Sequence, residues 1–224
     1  MNADSTLRPV SEPDELVRAG TSSTNGRAIV IPFQLPTLGA GETFASAQLS
    51  LTLMEIGPSR ITGSPGSGGI TPTYSLDLYG LNHRSSSSVL GGDFYQGATP
   101  QSGVTLVQAA FITPSTTLGT VTLSGAALLD YLNNQYDNGA NAGQWIFLRL
   151  SPNSGPVTSL DQRYRISMAD YSNPPNPWSA VIPQIEYTVI PEPGVTSLLV
   201  LGFLSLLCGL RQRGVFSQLR IPRR

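Results

Sequence analysis

The sequence predicts an all-β protein: a jelly-roll-like β-sandwich with one short helix, followed by a C-terminal single transmembrane helix. Three observations point there. Several segments alternate apolar and polar residues with a period of two, the mark of strands buried on one face. The runs between them are rich in Gly, Pro, Ser and Asn, which set turns and loops. One uncharged apolar run, Val195–Leu210, stands near the C-terminus.

Taken in order, Ala47, Leu49, Leu51 and Leu53 alternate with Gln48, Ser50 and Thr52. Leu76 and Leu78 alternate with Ser75, Asp77 and Tyr79, and Val121 and Leu123 with Thr120 and Thr122. Tyr164, Ile166 and Met168 alternate with Arg163, Arg165 and Ser167, and Ile185, Tyr187 and Val189 with Glu186 and Thr188. Each reads as a half-buried strand. Gln144–Leu150 (QWIFLRL) is apolar on both faces for most of its length and reads as a central, covered strand, with Trp145 in the core. Gly57–Gly69 and Asn82–Ser88 read as loops, and the prolines of Ser172–Trp178 keep that stretch extended or turned. One segment, Ser124–Gly139, has helical spacing: Ser124 is a candidate N-cap, Gly139 a stop, and Leu129, Leu132 and Tyr136 share one face. This helix is expected to cover an open end or edge of the sandwich.

The 224 residues, 40% apolar, suffice for one sizeable domain. The expected division is an N-terminal segment 1–16, a sandwich 17–189 and a C-terminal segment 190–224. Charged residues make up 12% and lysine is absent. Residues 1–190 carry thirteen acidic side chains against eight arginines, whereas residues 211–224 carry five arginines and no acid. A body of that balance has no electrostatic footprint for nucleic acid, so no nucleic-acid partner is expected. The single cysteine, Cys208, excludes an intrachain disulfide and a cysteine metal cage; it reads as a small apolar residue, with lipid attachment the alternative. The single histidine, His83, excludes a multi-histidine cage and leaves few routes to a Ser-His pair. No cofactor and no metal are expected.

Val195–Leu210 spans sixteen residues, or roughly 24 Å as a helix at about 1.5 Å per residue, against a hydrocarbon core of about 30 Å. Its apolar residues occupy every face, so it reads as membrane-inserted; a core or interfacial helix is the alternative. Arg211 and Arg213 stop it, and the arginine-rich tail 211–224 belongs on the cytoplasmic side. That leaves the body outside the cytoplasm. The first twenty residues lack a positively charged start and an apolar run, so export implies a leader upstream of Met1.

Pro191-Glu192-Pro193, the short apolar run and the arginines behind it together resemble the PEP-CTERM sorting signal of exported Gram-negative bacterial proteins. The resemblance implies that Pro191, Glu192, Pro193, Arg211 and Arg213 form a sorting signal read by a membrane processing enzyme, an exosortase. It also implies that the tail is removed and that the protein serves the envelope, extracellular polysaccharide or biofilm. The body, over about 17–189, resembles a DNRLRE-type, carbohydrate-binding-module-like sandwich through Phe33-Gln34-Leu35, the Gly39–Gly41 loop and Ser46–Leu53. Later parts that fit are SLDLYGL, the short helix, WIFLRL and PQIEYTV.

The other candidates each have a plain reading beside a functional one. His83 is a solvated loop histidine or a base. Asp137, Asn138 and Asn141 are turn residues or calcium ligands. Tyr171 and Trp178, with Tyr95, are core or loop aromatics that stack on sugar rings. Asp77, Asp93, Asp130, Asp161, Asp170 and Glu186 are scattered, whereas glycoside hydrolysis needs two carboxyls about 5–10 Å apart. No enzyme is expected. The expected protein is an exported, structural or adhesive component of the cell envelope or extracellular matrix. Its precursor would be anchored in the inner membrane with the C-terminus cytoplasmic. The alternative is a surface-presented carbohydrate-binding module using Tyr171 and Trp178, its partner an extracellular polysaccharide; a glycan hydrolase is the least favoured.

Overall fold

A computed structural model describes residues 14–22, 25–60, 69–168 and 182–191. Among them the strands are β1 (Asp14–Val17), β2 (Ile29–Gln34), β3 (Glu42–Ile56), β4 (Ser59–Arg60), β5 (Leu76–Arg84), β6 (Thr105–Ile112) and β7 (Gly119–Ser124). Helix α1 (Ala126–Tyr136) precedes β8 (Trp145–Pro152), β9 (Tyr164–Ser167) and β10 (Gln184–Pro191). The fold is all-β with one short helix, and its strands pair antiparallel in two sheets.

The first sheet is organised on β3, which pairs with β10, β7, β9 and β4, while β1 extends it from β9. Both β7 and β10 pair with Gln48–Ser50, so they flank β3 on opposite sides. The second sheet runs β2-β8-β5-β6. Pro32 sits in β2, whose only sheet partner among the described residues is β8, so its missing N–H costs no ladder bond.

One core joins the sheets. Leu49, Leu51 and Leu53 of β3 meet Leu76 and Leu78 of β5 and Ile146, Leu148 and Leu150 of β8, all fully buried. Each contributes roughly 1.5–3 kcal/mol of burial free energy. The outward residues of β3 and β7, such as Ser46, Gln48, Thr120 and Thr122, are exposed. The alternation read at residues 47–53, 120–123, 163–168 and 185–189 therefore falls on strands β3, β7, β9 and β10, and the covered strand is β8.

Several expectations are corrected. β5 is not half-buried: Leu76 through Leu81 are all buried, because its second face is covered by the 85–104 segment. It also runs through Asn82–Arg84, read as loop, so His83 lies on a strand. A tight turn at Gly57 brings Ser59–Arg60 back as β4, inside the stretch read as loop. β1 begins at Asp14, upstream of the boundary drawn at 17, and pairs with β9. Trp145 is half-buried at the start of β8, while Phe147, two residues on, is fully buried.

β6 escaped the reading because it does not alternate. Between the pairs Leu76–Ile112 and Leu78–Gln108, β5 has one residue and β6 has three. Ala110 in that bulge is left-handed, with φ 46°, and its N–H donates to Asp77 Oδ1 at 2.8 Å.

The helix forms where expected, but its cap is not Ser124. That residue is held in β7 opposite Gln48, and Gly125, with φ 147°, turns the chain into the helix instead. Its buried face is Leu128, Tyr131, Leu132 and Tyr136; Leu129 is only half-buried. The helix touches β3 and β7 of one sheet and β5 and β6 of the other, closing a side where the sheets part. Gly80 of β5 lets the Tyr131 ring lie on the strand, since a Cβ there would fall against Cε2, Cδ2 and Cζ of that ring. The Tyr131 hydroxyl then donates to the Leu81 carbonyl at 2.7 Å.

Candidate functional site

Tyr79, Leu81 and Asp77 of β5 stand opposite Arg149, Phe147 and Ser151 of β8 on the outer face of the second sheet. The 85–104 segment lies over them. Arg149, 1% exposed, donates through Nη1 to the Asp93 carbonyl at 2.8 Å and through Nη2 to Gln101 Oε1 at 2.6 Å. Its guanidinium lies 4.7 Å from the Tyr79 ring centroid and 5.4 Å from that of Tyr95. Arg84 stacks on Phe147 at 4.4 Å and forks onto the buried Asp93 carboxylate, one arm at 2.8 Å. The same carboxylate accepts the Leu90 N–H at 2.8 Å. Asp77 accepts from Ala110 N–H, Asn153 Nδ2 and the Tyr79 hydroxyl. These contacts latch the segment to the sheet; the donors named here engage both carboxylates.

A second cluster lies on the first sheet. Glu55, fully buried, stands opposite Arg60 of β4 and Arg165 of β9. Arg163 Nε reaches its Oε1 at 2.6 Å; Arg60 Nε and Arg165 Nε reach Oε2 at 2.8 and 3.3 Å. Three guanidinium groups thus tie three strands to one carboxylate. Sequence reading missed both clusters. The signals were a charge inside an apolar run: Arg149 in QWIFLRL and Glu55 in LTLMEI.

An apolar cleft of about 90 Å³ opens between β2 and β10, lined by Phe33, Leu35, Phe44, Leu132, Ile185 and Tyr187 among others. Tyr187 packs edge-on against Phe44 with centroids 5.1 Å apart.

Of the residues singled out from the sequence, Pro191 is described and ends β10. Glu192, Pro193, the run 195–210, Arg211, Arg213, Tyr171 and Trp178 lie outside the described residues. Among the described residues no helix is long and apolar enough to cross a membrane. His83 is half-buried, its N–H and Nδ1 both against Gln135 Oε1 at 2.8 and 3.1 Å. In the Asx turn, Asp137 and Asn138 are left-handed, and Asn141 donates to the Gln135 carbonyl and faces Gln144 with its own Oδ1. The side chain of Asn141 thus fixes the turn. Among the described residues no three His, Cys, Asp or Glu side chains gather as a metal site.

Burial raises the hydroxyl pKa of Tyr74, Tyr131 and Tyr164 above the ordinary 10.0. Burial lowers Arg149 to about 10, against the opposing pull of Tyr79, Asp93 and Tyr95. The tyrosines, raised in the fold, stabilise it fully below pH 10.0, and that contribution is lost as pH climbs from there toward their folded values. Arg149, lowered in the fold, acts oppositely above about pH 10. Three tyrosines outweigh one arginine, so alkaline unfolding is expected above pH 10, with tyrosinate absorbance rising together with loss of circular dichroism. Absorbance rising well before the dichroism falls would contradict it.

Compared with known protein families and with curated proteins, the chain matches none.

Proposed function

We propose that this chain is an exported, non-enzymatic protein of the cell envelope or extracellular matrix, with a structural or adhesive role. On this reading the sandwich has a jelly-roll-like order and is followed by a single transmembrane helix over 195–210. The observation that carries it is the chain's exit: β10 runs to Pro191, the first residue of Pro-Glu-Pro, which leads into the uncharged run and its arginine stop. A proline-fenced junction keeps the apolar helix from continuing the strand. The exposed Ser, Thr and Gln rows of the first sheet suit an aqueous exterior, and an exosortase-type enzyme in the membrane is the processing partner. A structural role is supported by Asp77, Asp93 and Glu55, each engaged by donors of the chain itself.

The test is fractionation of Gram-negative cells making the full chain behind a secretion leader, with and without an exosortase. Without the enzyme the precursor should resist alkaline carbonate extraction, its C-terminal tag shielded from external protease. With the enzyme the tag should be lost, and Glu192→Ala should prevent that loss. A precursor that washes off in carbonate overturns the membrane reading. Tag loss unaffected by Glu192→Ala overturns the sorting signal.

A further inference from the structure

Among the described residues β10 pairs with β3 alone, so its other edge presents backbone N–H and C=O groups, which favour an added strand. The large apolar side chains exposed in the described residues are Ile70, Leu90, Ile182, Tyr187 and Ile190, and three of these lie on or beside β10. Glu186 is the strand's single charge. The adjacent cleft, at about 90 Å³, is far below the roughly 300–1,000 Å³ of small-molecule sites and has room for one apolar side chain. An unpaired edge beside a one-side-chain socket has the form used in strand addition, where main-chain bonds give affinity and pockets give specificity.

We propose that the occupant is a second copy of this chain, joined antiparallel along β10 about a two-fold axis at Tyr187. The centre of the strand, Ile185–Val189, is self-complementary in that register. Tyr187 faces its own copy, Glu186 faces Thr188, and Ile185 faces Val189 on either side of the axis. At the centre of the ladder polar side chains meet polar and apolar meet apolar, pairings that stabilise antiparallel strands, while Gln184 faces Ile190 near each end. Val189 of the second copy sits beside Ile185, a wall of the cleft. Pro183 and Pro191 fall opposite each other and, lacking N–H groups, close the ladder at both ends. A shift of one residue opposes inner to outer faces. Moving Tyr187 opposite Ile185 sets Glu186 against its own copy, and moving it opposite Val189 sets Glu186 against Ile190. The bulge at Thr188/Val189 places its extra residue, Ala45, on β3, which leaves β10 itself regular. This interface is independent of the sorting reading and holds wherever the chain resides.

The test is site-specific cross-linking of the full chain, solubilised in detergent and carrying Cys208→Ser. Under mild oxidation Tyr187→Cys should form a disulfide-linked dimer at least about tenfold faster than Gln184→Cys, whose two copies lie about 20 Å apart, beyond bridging distance. Ile185→Cys mixed with Val189→Cys should cross-link as a heterodimer, which keeps the result readable if the tyrosine variant folds poorly. Tyr187→Lys should weaken association in sedimentation, while Ile70→Lys should not. Equal rates at 187 and 184, or no cross-link in either design, overturns the proposal. So does a dimer that appears only after deleting residues 1–13, since the chain's own N-terminus would then be the occupant.

Discussion

Glu55→Ala is expected to lower unfolding free energy by about 3–5 kcal/mol, the usual cost of removing one partner of a buried ion pair. The carboxylate is fully buried, and Arg60 from the β4 side and Arg163 and Arg165 from the β9 side converge on it. Removing it leaves three guanidinium groups crowded around an apolar methyl, each repelling the others. Removing one arginine is milder, because each is 20–32% exposed and water screens part of the loss. Urea unfolding should therefore rank Glu55→Ala well below Arg163→Gln, with Glu55→Gln between them, since a carboxamide keeps one acceptor and no charge. An Arg163→Gln variant as unstable as Glu55→Ala would contradict this ranking.

Gly80→Val is expected to cost about 3 kcal/mol or more, the upper range for overpacking a closed core. No left-handed backbone angle requires glycine here; the requirement is the Tyr131 ring, which occupies the volume a Cβ would need. The ring cannot retreat easily, because its hydroxyl is bonded to the Leu81 carbonyl and it is 1% exposed. The added methyls must therefore push α1 away from the second sheet. A double-mutant cycle checks the cause: once Tyr131→Ala has emptied the site, Gly80→Val should add little further loss. Full additivity would mean that the strain lies elsewhere.

How much was legible follows from where each signal resides. β7, β10 and the first half of β3 expose one face to water, so their period of two is written in the local sequence; β9 alternates through its half-buried Arg165 although none of its residues is exposed. β5 and β6 were harder. The second face of β5 is covered by the segment that follows it, 85–104, folding back over the sheet, which the pattern within β5 does not record, and the bulges of β6 break its alternation at Ala110. Helix α1 was legible from its spacing, but Ser124 looked like its cap because nothing local shows that β7 claims that residue. The polar clusters were least legible. Glu55 and Arg163 meet across 108 positions, and Arg149 reaches Asp93 across 56, so only the assembled sheets bring them together. A lone charge inside an apolar run was the local clue, and it names neither partner.

The terminal position of β10 has a mechanical consequence. Its bonds to β3 run perpendicular to the strand axis. A load drawn on Pro191 along that axis therefore stresses the whole ladder in shear, and the register from Gln184 to Pro191 must slip as a unit. A load drawn sideways instead opens the ladder from the Pro191–Glu42 end, one rung at a time. The direction of traction at the carboxyl end thus decides whether the domain resists as a rivet or opens as a zip.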